Sequence, residues 1–254
     1  WITFAKLRVS AAQVGKDPAP YNLYNVRKYQ FEMGNRKPIN NTIKLNANLK
    51  PEIKTSYEVG VDMKFLDNRL GFDFTYYYNT TKNQAMLVDA SSPWTQQWVN
   101  AGKINNTGVE FMLYGTPVKT RDFQFDITAN LAHNRSTVKE LADGVNRVYF
   151  AGDSNMPVKV GAVKGGKLGD IFANNLMQRD AQGRVIIGDD GLPMAATGDG
   201  NLEQYLLDHP IGNIQPDLLM SITPTFTYKG ISLTAMFDMK FGGDIVSVSE
   251  GMAT

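Results

Sequence analysis

The sequence contains no cysteine and only two histidines, His133 and His209. The first absence excludes disulfides, thiol nucleophiles and cysteine-ligated metal sites together. The two histidines are far apart in the chain, and neither has a second ligand at the spacing of a zinc site. Neither a G-x-S-x-G nucleophile motif nor an H-E-x-x-H motif occurs. Carboxylate pairs for glycoside hydrolysis stay open, but nothing in the sequence singles out two of them. We expect a protein that is not an enzyme, with no catalytic residue, no bound metal and no cofactor.

The chain also lacks an excess of charge of one sign and a long hydrophobic run. Lysine and arginine number 26 and aspartate and glutamate 25, so the formal net charge is +1. Nucleic-acid-binding domains carry a basic surface, so we expect no nucleic-acid partner. No run approaches the roughly 18 uncharged apolar residues of a membrane-spanning helix. This absence leaves membrane-spanning strands open, because their alternating pattern scores low in any hydropathy window.

Alternation of apolar and polar residues with a period of two is the dominant pattern, and it predicts β-strands. Most of the segments have about the 9 to 11 residues that a tilted strand needs to cross a bilayer. The seven segments that alternate are 5–11, 57–65, 70–78, 109–114, 123–131, 220–228 and 231–240. Their polar sides carry ionised residues, which are Lys6, Arg8, Asp62, Lys64, Asp73, Asp126 and Asp238. In a soluble sandwich these would lie on the surface, and in a wide barrel they would face the lumen. Periodicity alone leaves both readings open.

The connections between the segments favour the barrel. Short links at 66–69, 116–122 and 229–230 alternate with long connections at 13–52, 80–105 and 134–215. Short turns on one side and long loops on the other are typical of outer-membrane barrels, and a compact soluble domain rarely holds three such loops. Pro224, inside a predicted strand, indicates a bulge or a local break. The 134–215 loop is predicted to fold on itself, with turns at 179–184 and 188–193 and a short hairpin through 185–187.

The segment NRLGFDFTYYYNTTK shows what the barrel interpretation requires. Leu70, Phe72 and Phe74 would face hydrocarbon, and Tyr76 and Tyr78 would lie in the outer interfacial girdle of aromatic residues. The alternate residues, Asp73, Thr75 and Tyr77, would face the lumen.

Four local motifs allow a functional and a structural reading. GAVKGGKL at 161–168 is close to a phosphate-binding loop, but Leu168 replaces the magnesium-binding Ser or Thr, which favours a plain glycine loop. Asp180, Asp189, Asp190 and Asp199 could bind calcium, although Asp-Gly pairs are common in turns and the EF-hand spacing is absent. Trp94 and Trp98 could stack on a sugar, anchor a peptide or fix their own loop. The same alternatives apply to Tyr21, Tyr24 and Tyr29.

Three longer stretches resemble a known family. They are LKPEIKTSYEVGVDMKFLDNRLGFDFTYYYNTTKNQAM, VNAGKINNTGVEFMLYGTPVKTRDFQFDITANLAHNRSTV and GNIQPDLLMSITPTFTYKGISLTAMFDMKFGGDI, preceded by the opening WITFAKLRVSAAQVGKDPAPY. In this order they are similar to the β-barrel of SusC/RagA-type TonB-dependent transporters. The resemblance implies an all-β, antiparallel transmembrane barrel of 22 strands in the outer membrane of Bacteroidetes. Residues 1–254 would supply about seven of these strands, without the plug domain and the terminal strands.

The resemblance also implies a function and partners. Such proteins import large nutrients, mostly glycan oligosaccharides and in some members peptides, with energy supplied by TonB through the N-terminal region. A SusD-like surface lipoprotein covers their extracellular loops. Loops 80–105 and 134–215 would then contact cargo and lipoprotein, with Trp94 and Trp98 as predicted substrate-binding residues. Two alternatives are a soluble β-rich carbohydrate-binding or adhesin module and an outer-membrane enzyme such as a lipase or protease.

Overall fold

A computed structural model describes residues 1–24, 28–39, 42–90, 92–100, 102–142, 144–151, 157–197 and 201–247. Two short helices occur in these described ranges, a 3₁₀ helix at Pro20–Asn22 and α1 at Leu202–Asp208. Within the described ranges no helix has the length and apolar content needed to cross a membrane. The strands in chain order are β1 (Ile2–Lys16), β2 (Lys28–Glu32), β3 (Asn35–Ile39), β4 (Ile43–Lys44), β5 (Glu52–Phe65), β6 (Leu70–Lys82), β7 (Ala85–Asp89), β8 (Gln96–Asn100), β9 (Lys103–Lys119), β10 (Phe123–Glu140), β11 (Arg147–Ala151), β12 (Val158–Val163), β13 (Asp170–Ala173), β14 (Gly212–Asn213), β15 (Leu218–Tyr228), β16 (Ile231–Thr234) and β17 (Phe237–Phe241).

One antiparallel sheet dominates the fold and follows the chain order β1-β5-β6-β9-β10-β15, with β16 and β17 both paired to the free side of β15. Since β16 and β17 are two halves of one interrupted strand, the sheet has seven strand positions. These are the seven segments that the alternating pattern predicts, and the antiparallel all-β prediction is confirmed. The sheet is open, because β1 and the last strand lie at opposite edges of the described structure.

The interruption of the last strand lies opposite Pro224. The main-chain N–H of Ala235 donates to the carbonyl of Pro224, so this edge of Pro224 faces the last strand. Proline has no N–H to return the second ladder hydrogen bond. Strand pairing therefore stops at Ala235 and Met236 and resumes at Phe237, which is the local break that the sequence predicts.

Tight turns join neighbouring strands at one end of the sheet, called here the turn end. Leu66, Asp67 and Asn68 all have positive φ, between 53° and 66°, and they close the β5–β6 hairpin. Lys229 and Gly230, with φ of 47° and 87°, form a two-residue turn between β15 and β16. Positive φ at both central positions gives a turn with the twist that an antiparallel hairpin needs.

The long connections lie at the opposite end, called the loop end, and they are shorter than predicted. β1 continues to Lys16, β6 to Lys82 and β10 to Glu140, so the connections run from 17 to 51, 83 to 102 and 141 to 217. They also contain strands that the sequence analysis missed. The first connection holds the β2–β3 hairpin. The other elements form a three-stranded sheet, β4-β8-β7, and a four-stranded sheet, β11-β12-β13-β14. These two sheets with α1 are called the cap.

The apolar core lies in the cap and in the loop-end extensions of β9 and β10. One cluster packs Met86, Val88 and Val148, and a second packs Ile104, Val138 and Ala162. Ile171 and Phe172 of β13 are each 2% exposed. Among the described residues, no buried large apolar side chain belongs to the turn-end half of the seven-stranded sheet. That half has two accessible faces and no core of its own.

Candidate functional site

The strand register places the seven predicted ionised residues on one face of the large sheet, called the polar face. Paired residues on neighbouring strands point to the same side of a sheet, as do residues two apart in one strand. One row of cross-strand partners consists of Lys6, Asp62, Asp73, Met112, Asn130, Ser221 and Asp238. Arg8, Lys64 and Asp126 lie an even number of residues from members of this row. That the polar face borders a lumen stays a prediction.

The opposite face, called the apolar face, has the complementary composition. The next row of cross-strand partners consists of Leu7, Val61, Phe74, Phe111, Leu131, Met220 and Met239. Phe72 packs against the rings of Phe65 and Phe111, with centroids 6.1 and 6.0 Å apart. Leu7, Phe74 and many other members of this face are exposed. A continuous exposed apolar surface of this extent needs a non-aqueous solvent or a partner.

Tyrosines close the apolar face near the loop end, as the sequence predicts. Tyr76 is exposed, and the hydroxyl of Tyr78 accepts a hydrogen bond from the side-chain amide of Asn105 at 2.6 Å. Asn105 also lies 3.2 Å from the hydroxyl of Thr80. Along β6 the side chains of this face thus change from hydrocarbon at Phe74, through the amphipathic Tyr76 and Tyr78, to polar at Thr80. Such an order is typical of side chains at the boundary between a bilayer and water.

An ion pair spans three strands on the polar face. The guanidinium of Arg8 on β1 donates to both carboxylate oxygens of Asp73 on β6, at 2.7 and 2.6 Å, and to the hydroxyl of Thr75 at 3.2 Å. It passes over Gly60, its partner on the intervening strand β5. Asp62 and Asp73 are direct cross-strand partners. Since like charges directly opposite one another destabilise a sheet, Arg8 offsets a local repulsion as well as forming a pair.

Uncharged hydrogen-bonding groups continue the polar face towards the loop end. The hydroxyl of Tyr77 donates to the side-chain oxygen of Asn134 at 3.0 Å. The amide of Asn134 donates to Ser136, whose hydroxyl in turn donates to Asn106. These amides and hydroxyls lie next to one another on three strands, so they provide donors and acceptors without net charge.

The predicted cargo residues lie close together in the chain. Trp94 is in the segment before β8, and Trp98 is in β8 itself, within the β4-β8-β7 sheet. Both are half-buried. Trp98 is the cross-strand partner of Leu87, whereas its neighbour Val99 packs against the buried Met86 cluster. Because adjacent residues of a strand point to opposite faces, Trp98 points away from that cluster. Contact with cargo stays a prediction for both tryptophans.

Two of the three tyrosines predicted alongside them can be placed. Tyr24 is exposed, and Arg36 stacks over the ring of Tyr29 at 3.9 Å. The side chain of Tyr21 lies outside the described part.

The glycine loop at 161–168 is a turn and has no free anion cradle. A phosphate would need main-chain N–H groups that point into the loop. The N–H groups from 165 to 169 instead donate to Val138, Val163, the carboxylate of Asp170, Ser136 and Gly161. This outcome agrees with the structural reading of the motif.

The two histidines each contact a main-chain carbonyl. Nδ1 of His133 contacts the carbonyl oxygen of Asp217. Nδ1 of His209 lies 2.8 Å from the carbonyl oxygen of Tyr205, and the two rings stack at 4.2 Å. The first contact joins β10 to the segment before β15, and the second holds its ring against α1.

The acidic residues of the long connection stabilise turns. The carboxylate of Asp180 accepts the N–H groups of Gln182 and Arg184 at 2.9 Å and pairs with Nε of Arg184 at 2.8 Å. The N–H of Arg184 is the main reason that the pKa of Asp180 lies below its ordinary value. Within the described residues no group of three His, Asp or Glu is arranged to hold a metal. Asp199 lies outside the described residues, and calcium binding stays untested.

Both turns predicted around these acids are present. Gly183 with φ of 81° and Gly191 with φ of 79° lie in the two turns. Each turn is closed by a single bridge pair, Arg179 with Val185 for the first turn and Ile187 with Pro193 for the second. The segment through 185–187 therefore folds back on its neighbours as a narrow meander, in place of a regular hairpin.

Asn213 is a structural centre that the sequence analysis did not identify. Its side-chain amide donates to the carboxylate of Asp170 at 2.8 Å and to the carbonyl of Leu168 at 3.3 Å. Its side-chain oxygen accepts the N–H of Gln215, and its own N–H donates to Asp244, both at 2.8 Å. Asn213, in the cap strand β14, thereby binds both the segment before β15, through Gln215, and the segment after β17, through Asp244. In the sequence, Asn213 and Asp244 were visible only as parts of the GN and GGD motifs of the stretch that resembles the family.

The first 163 residues match the family model described as TonB dependent receptor-like, beta-barrel. TonB-dependent receptor SusC of Bacteroides thetaiotaomicron is 27% identical over 200 residues, which cover 74% of this chain and 19% of that protein. TonB-dependent receptor P3 of Formosa agariphila is 26% identical over 217 residues, covering 80% of this chain and 22% of that protein. The chain thus spans about a fifth of the length of these relatives.

Solved structures show the same fold. The RagAB peptide importer in the closed-closed state superimposes with a TM-score of 0.71 at 20% identity, over 96% of this chain and 27% of that one. The RagAB peptide transporter gives 0.69 at 22% identity, over 94% of this chain and 26% of that one. Because the family model covers residues 1–163 of 254, the chain belongs to the TonB-dependent receptor-like β-barrel family, and its large sheet is part of a barrel wall of the SusC type.

Proposed function

We propose that the chain forms part of the outer-membrane wall through which a TonB-energised transporter imports a large polar nutrient. The observation that carries this proposal is the pair of adjacent rows in the sheet. One row is apolar across all seven strands, and the next contains only polar or charged side chains apart from Met112. A wall with these two faces satisfies its main-chain groups in lipid and offers hydrogen-bonding groups to a wet passage.

The charge pattern of the polar face supports an uncharged cargo, and we propose glycan oligosaccharides. Lys6 opposes Asp62 and Lys16 opposes Glu52 across β1 and β5, so acids and bases alternate and leave little net field. Nearer the loop end the face carries the amides and hydroxyls around Asn134 and Ser136. Such groups bind sugar hydroxyls without selecting for charge. The curated relatives include a SusC receptor, which supports the same class of transporter.

Import of peptides is the second candidate, because the solved structures that share the fold are titled as a peptide importer and transporter. Peptide main chains present the same kind of donors and acceptors as sugars, so the polar face accommodates either cargo.

Partners follow from the same proposal. A SusD-like lipoprotein would cover the cap, and TonB would act through the N-terminal region of the full-length protein. Cargo would meet Trp94 and Trp98 before it enters the passage. No covalent step is involved.

Uptake by intact cells tests the proposal. Cells with and without the full-length gene are given fluorescently labelled α-glucan oligosaccharides or labelled peptides, with and without a protonophore. We expect gene- and energy-dependent uptake of the oligosaccharides. Uptake of peptides alone would replace the glycan assignment with the second candidate. Equal uptake of both probes by both strains would refute the transport proposal for these cargo classes.

The tryptophans are tested in the same assay. Replacement of Trp94 and Trp98 by alanine should weaken cargo binding by about 1 to 3 kcal/mol for each ring that stacks on cargo. Trp1 provides a matched control, because it is 99% exposed and lies beside the first strand residue at the turn end. If the Trp1→Ala variant loses as much uptake as the other two, the tryptophans have no specific role.

A further inference from the structure

Three glycines on the polar face are buried within a sheet whose faces are otherwise accessible. They are Gly60 on β5, Gly71 on β6 and Gly108 on β9. A glycine within a strand weakens it, and it commonly marks a place where another group approaches the backbone closely. Each of these three is covered by a long side chain of the neighbouring strand.

The register and the distances identify the covering side chains. Tyr114 is the cross-strand partner of Gly71, and a Cβ on that glycine would lie 2.4 Å from the phenol ring and its hydroxyl. Tyr77 is the partner of Gly108, where a Cβ would lie 2.3 Å from the hydroxyl. Arg8 is the partner of Gly60, where a Cβ would lie 2.9 Å from the guanidinium.

These three side chains therefore lie along the wall and do not stand away from it. Tyr77 crosses β9 to reach Asn134 on β10, and Arg8 crosses β5 to reach Asp73 on β6. A side chain that stands upright rises roughly 5 Å above its sheet, half of the ~10 Å between stacked sheets. Filling the space over a glycine excludes the flat conformation, and the side chain must then adopt another rotamer that projects further from the wall.

We propose that Gly60, Gly71 and Gly108 set the clearance of the passage by holding Arg8, Tyr114 and Tyr77 flat, so that these glycines limit the size of the cargo. This inference rests on the proposed transport function. It assigns the three glycines as positioning residues, because they would act through the side chains that cover them.

Gly71→Ala is the cleanest test. All three atoms closest to the added methyl group belong to the Tyr114 side chain, so no main-chain atom obstructs it. The closest ordinary contact is 3.4 Å, so the ring must move by about 1 Å or change rotamer. Gly108→Ala is unsuitable, because the carbonyl oxygen of His133 would lie 2.6 Å from the new methyl group.

Gly115→Ala is the matched control. Gly115 also lies in β9 near the turn end, but a methyl group there meets its nearest atoms at 3.5 and 3.6 Å, an ordinary contact. The double variant Gly71→Ala with Tyr114→Ala should restore clearance, because it removes the displaced ring. A second pair is Gly60→Ala with and without Arg8→Ala, since the three atoms nearest to a methyl group there are two guanidinium nitrogens of Arg8 and the hydroxyl of Thr75.

Uptake of labelled α-glucan oligosaccharides of graded length is measured for the full-length transporter in cells, and labelled peptides of graded length are used if those are the cargo. Heat-modifiable electrophoretic mobility of the extracted protein shows that each variant has assembled. We expect Gly71→Ala to reduce uptake of the longest accepted probe by about tenfold and that of the shortest by less than about twofold. Uptake of the long probe should recover in the double variant.

Two kinds of failure are distinguishable. If the unmodified transporter takes up neither probe, the proposed function fails. If it takes up probes and Gly71→Ala behaves like Gly115→Ala at every length, the clearance proposal is wrong and the transport proposal stands. Equal loss at all lengths without rescue by Tyr114→Ala would also overturn it, because a purely structural defect gives that result. Should Gly71→Ala fail to assemble, the Gly60 pair decides by the same criteria.

Discussion

Asn213 allows a quantitative test of how the cap is attached. In an Asn213→Ala variant the side chain loses three hydrogen bonds, to Asp170, Leu168 and Gln215. The bond to the Asp170 carboxylate is worth about 2 kcal/mol because its acceptor is charged. The two neutral bonds contribute about 1 kcal/mol together, since the one to Leu168 is long at 3.3 Å. The expected loss of cap stability is about 3 kcal/mol.

Because the Asp170 carboxylate is buried, water does not readily replace the hydrogen bond that Asn213 donates to it. Asp170 is 5% exposed, and without Asn213 its remaining hydrogen bond comes from the N–H of Lys167 at 2.9 Å. Asn213→Asp should therefore be worse than Asn213→Ala, because it places a second carboxylate beside Asp170. Asp170→Asn should restore part of the stability lost in the Asn213→Asp variant, because it removes one of the two carboxylates. The same substitution in the unmodified protein should bring no gain.

Hydrogen exchange of the full-length protein, followed by mass spectrometry, measures this effect locally. A loss of about 3 kcal/mol corresponds to exchange about a hundredfold faster for the peptide that contains β12 and β13. Asn175→Ala is the control, because that side chain accepts one local hydrogen bond from Leu176. Equal exchange in the Asn213→Ala and Asn175→Ala variants, or an Asn213→Asp variant as stable as Asn213→Ala, would refute the reasoning.

Three further predictions concern the wall and its turns. Arg8→Met should lower the unfolding temperature of the wall more than Asp73→Asn, because only the first removes the cation paired with Asp73 and leaves that carboxylate charged opposite Asp62; the reverse order would contradict this. The ionised carboxylate of Asp180 stabilises its turn at pH values above its ordinary pKa, and this stabilisation is lost as the pH falls through the lowered pKa. Asp180→Asn should therefore speed tryptic cleavage after Arg184 at neutral pH. The control Asp189→Asn should not. Lys229→Gly should stabilise its hairpin by about 1 kcal/mol, because φ there is 47°; equal hydrogen exchange of this hairpin in the variant and the unmodified protein would contradict this.

Most of the wall could be predicted from sequence because each strand has one apolar and one polar face. The alternation through Leu70, Phe72 and Phe74 records that contrast residue by residue, and Pro224 marked the one interruption. The β2–β3 hairpin was missed, although Tyr29 and Phe31 alternate with polar residues. Its Met33–Gly34 turn lacks the Asn-Gly or Asp-Gly pair that usually reveals a hairpin.

The cap and the site were less predictable because their contacts join residues distant in sequence. The ionised polar-face residues could be named in advance, since each belongs to the pattern of its own strand. The role of Gly71 could not, because it depends on which residue of β9 lies opposite. That register follows from pairing across a connection of 20 residues, 83 to 102, which no local pattern determines. Asn213 was missed for the same reason.

The confinement of the buried core to the cap and the loop-end extensions of β9 and β10 has a thermodynamic consequence. Apolar side chains of the cap, such as Phe172, are kept from water by other protein groups, whereas those of the apolar face of the wall, such as Phe74, are exposed and need a non-aqueous solvent or a partner. Urea weakens the first kind of burial directly, and exchange of lipid for a poorer detergent weakens the second. The stabilities of cap and wall therefore depend on different components of the solvent, so each is best measured by a local probe.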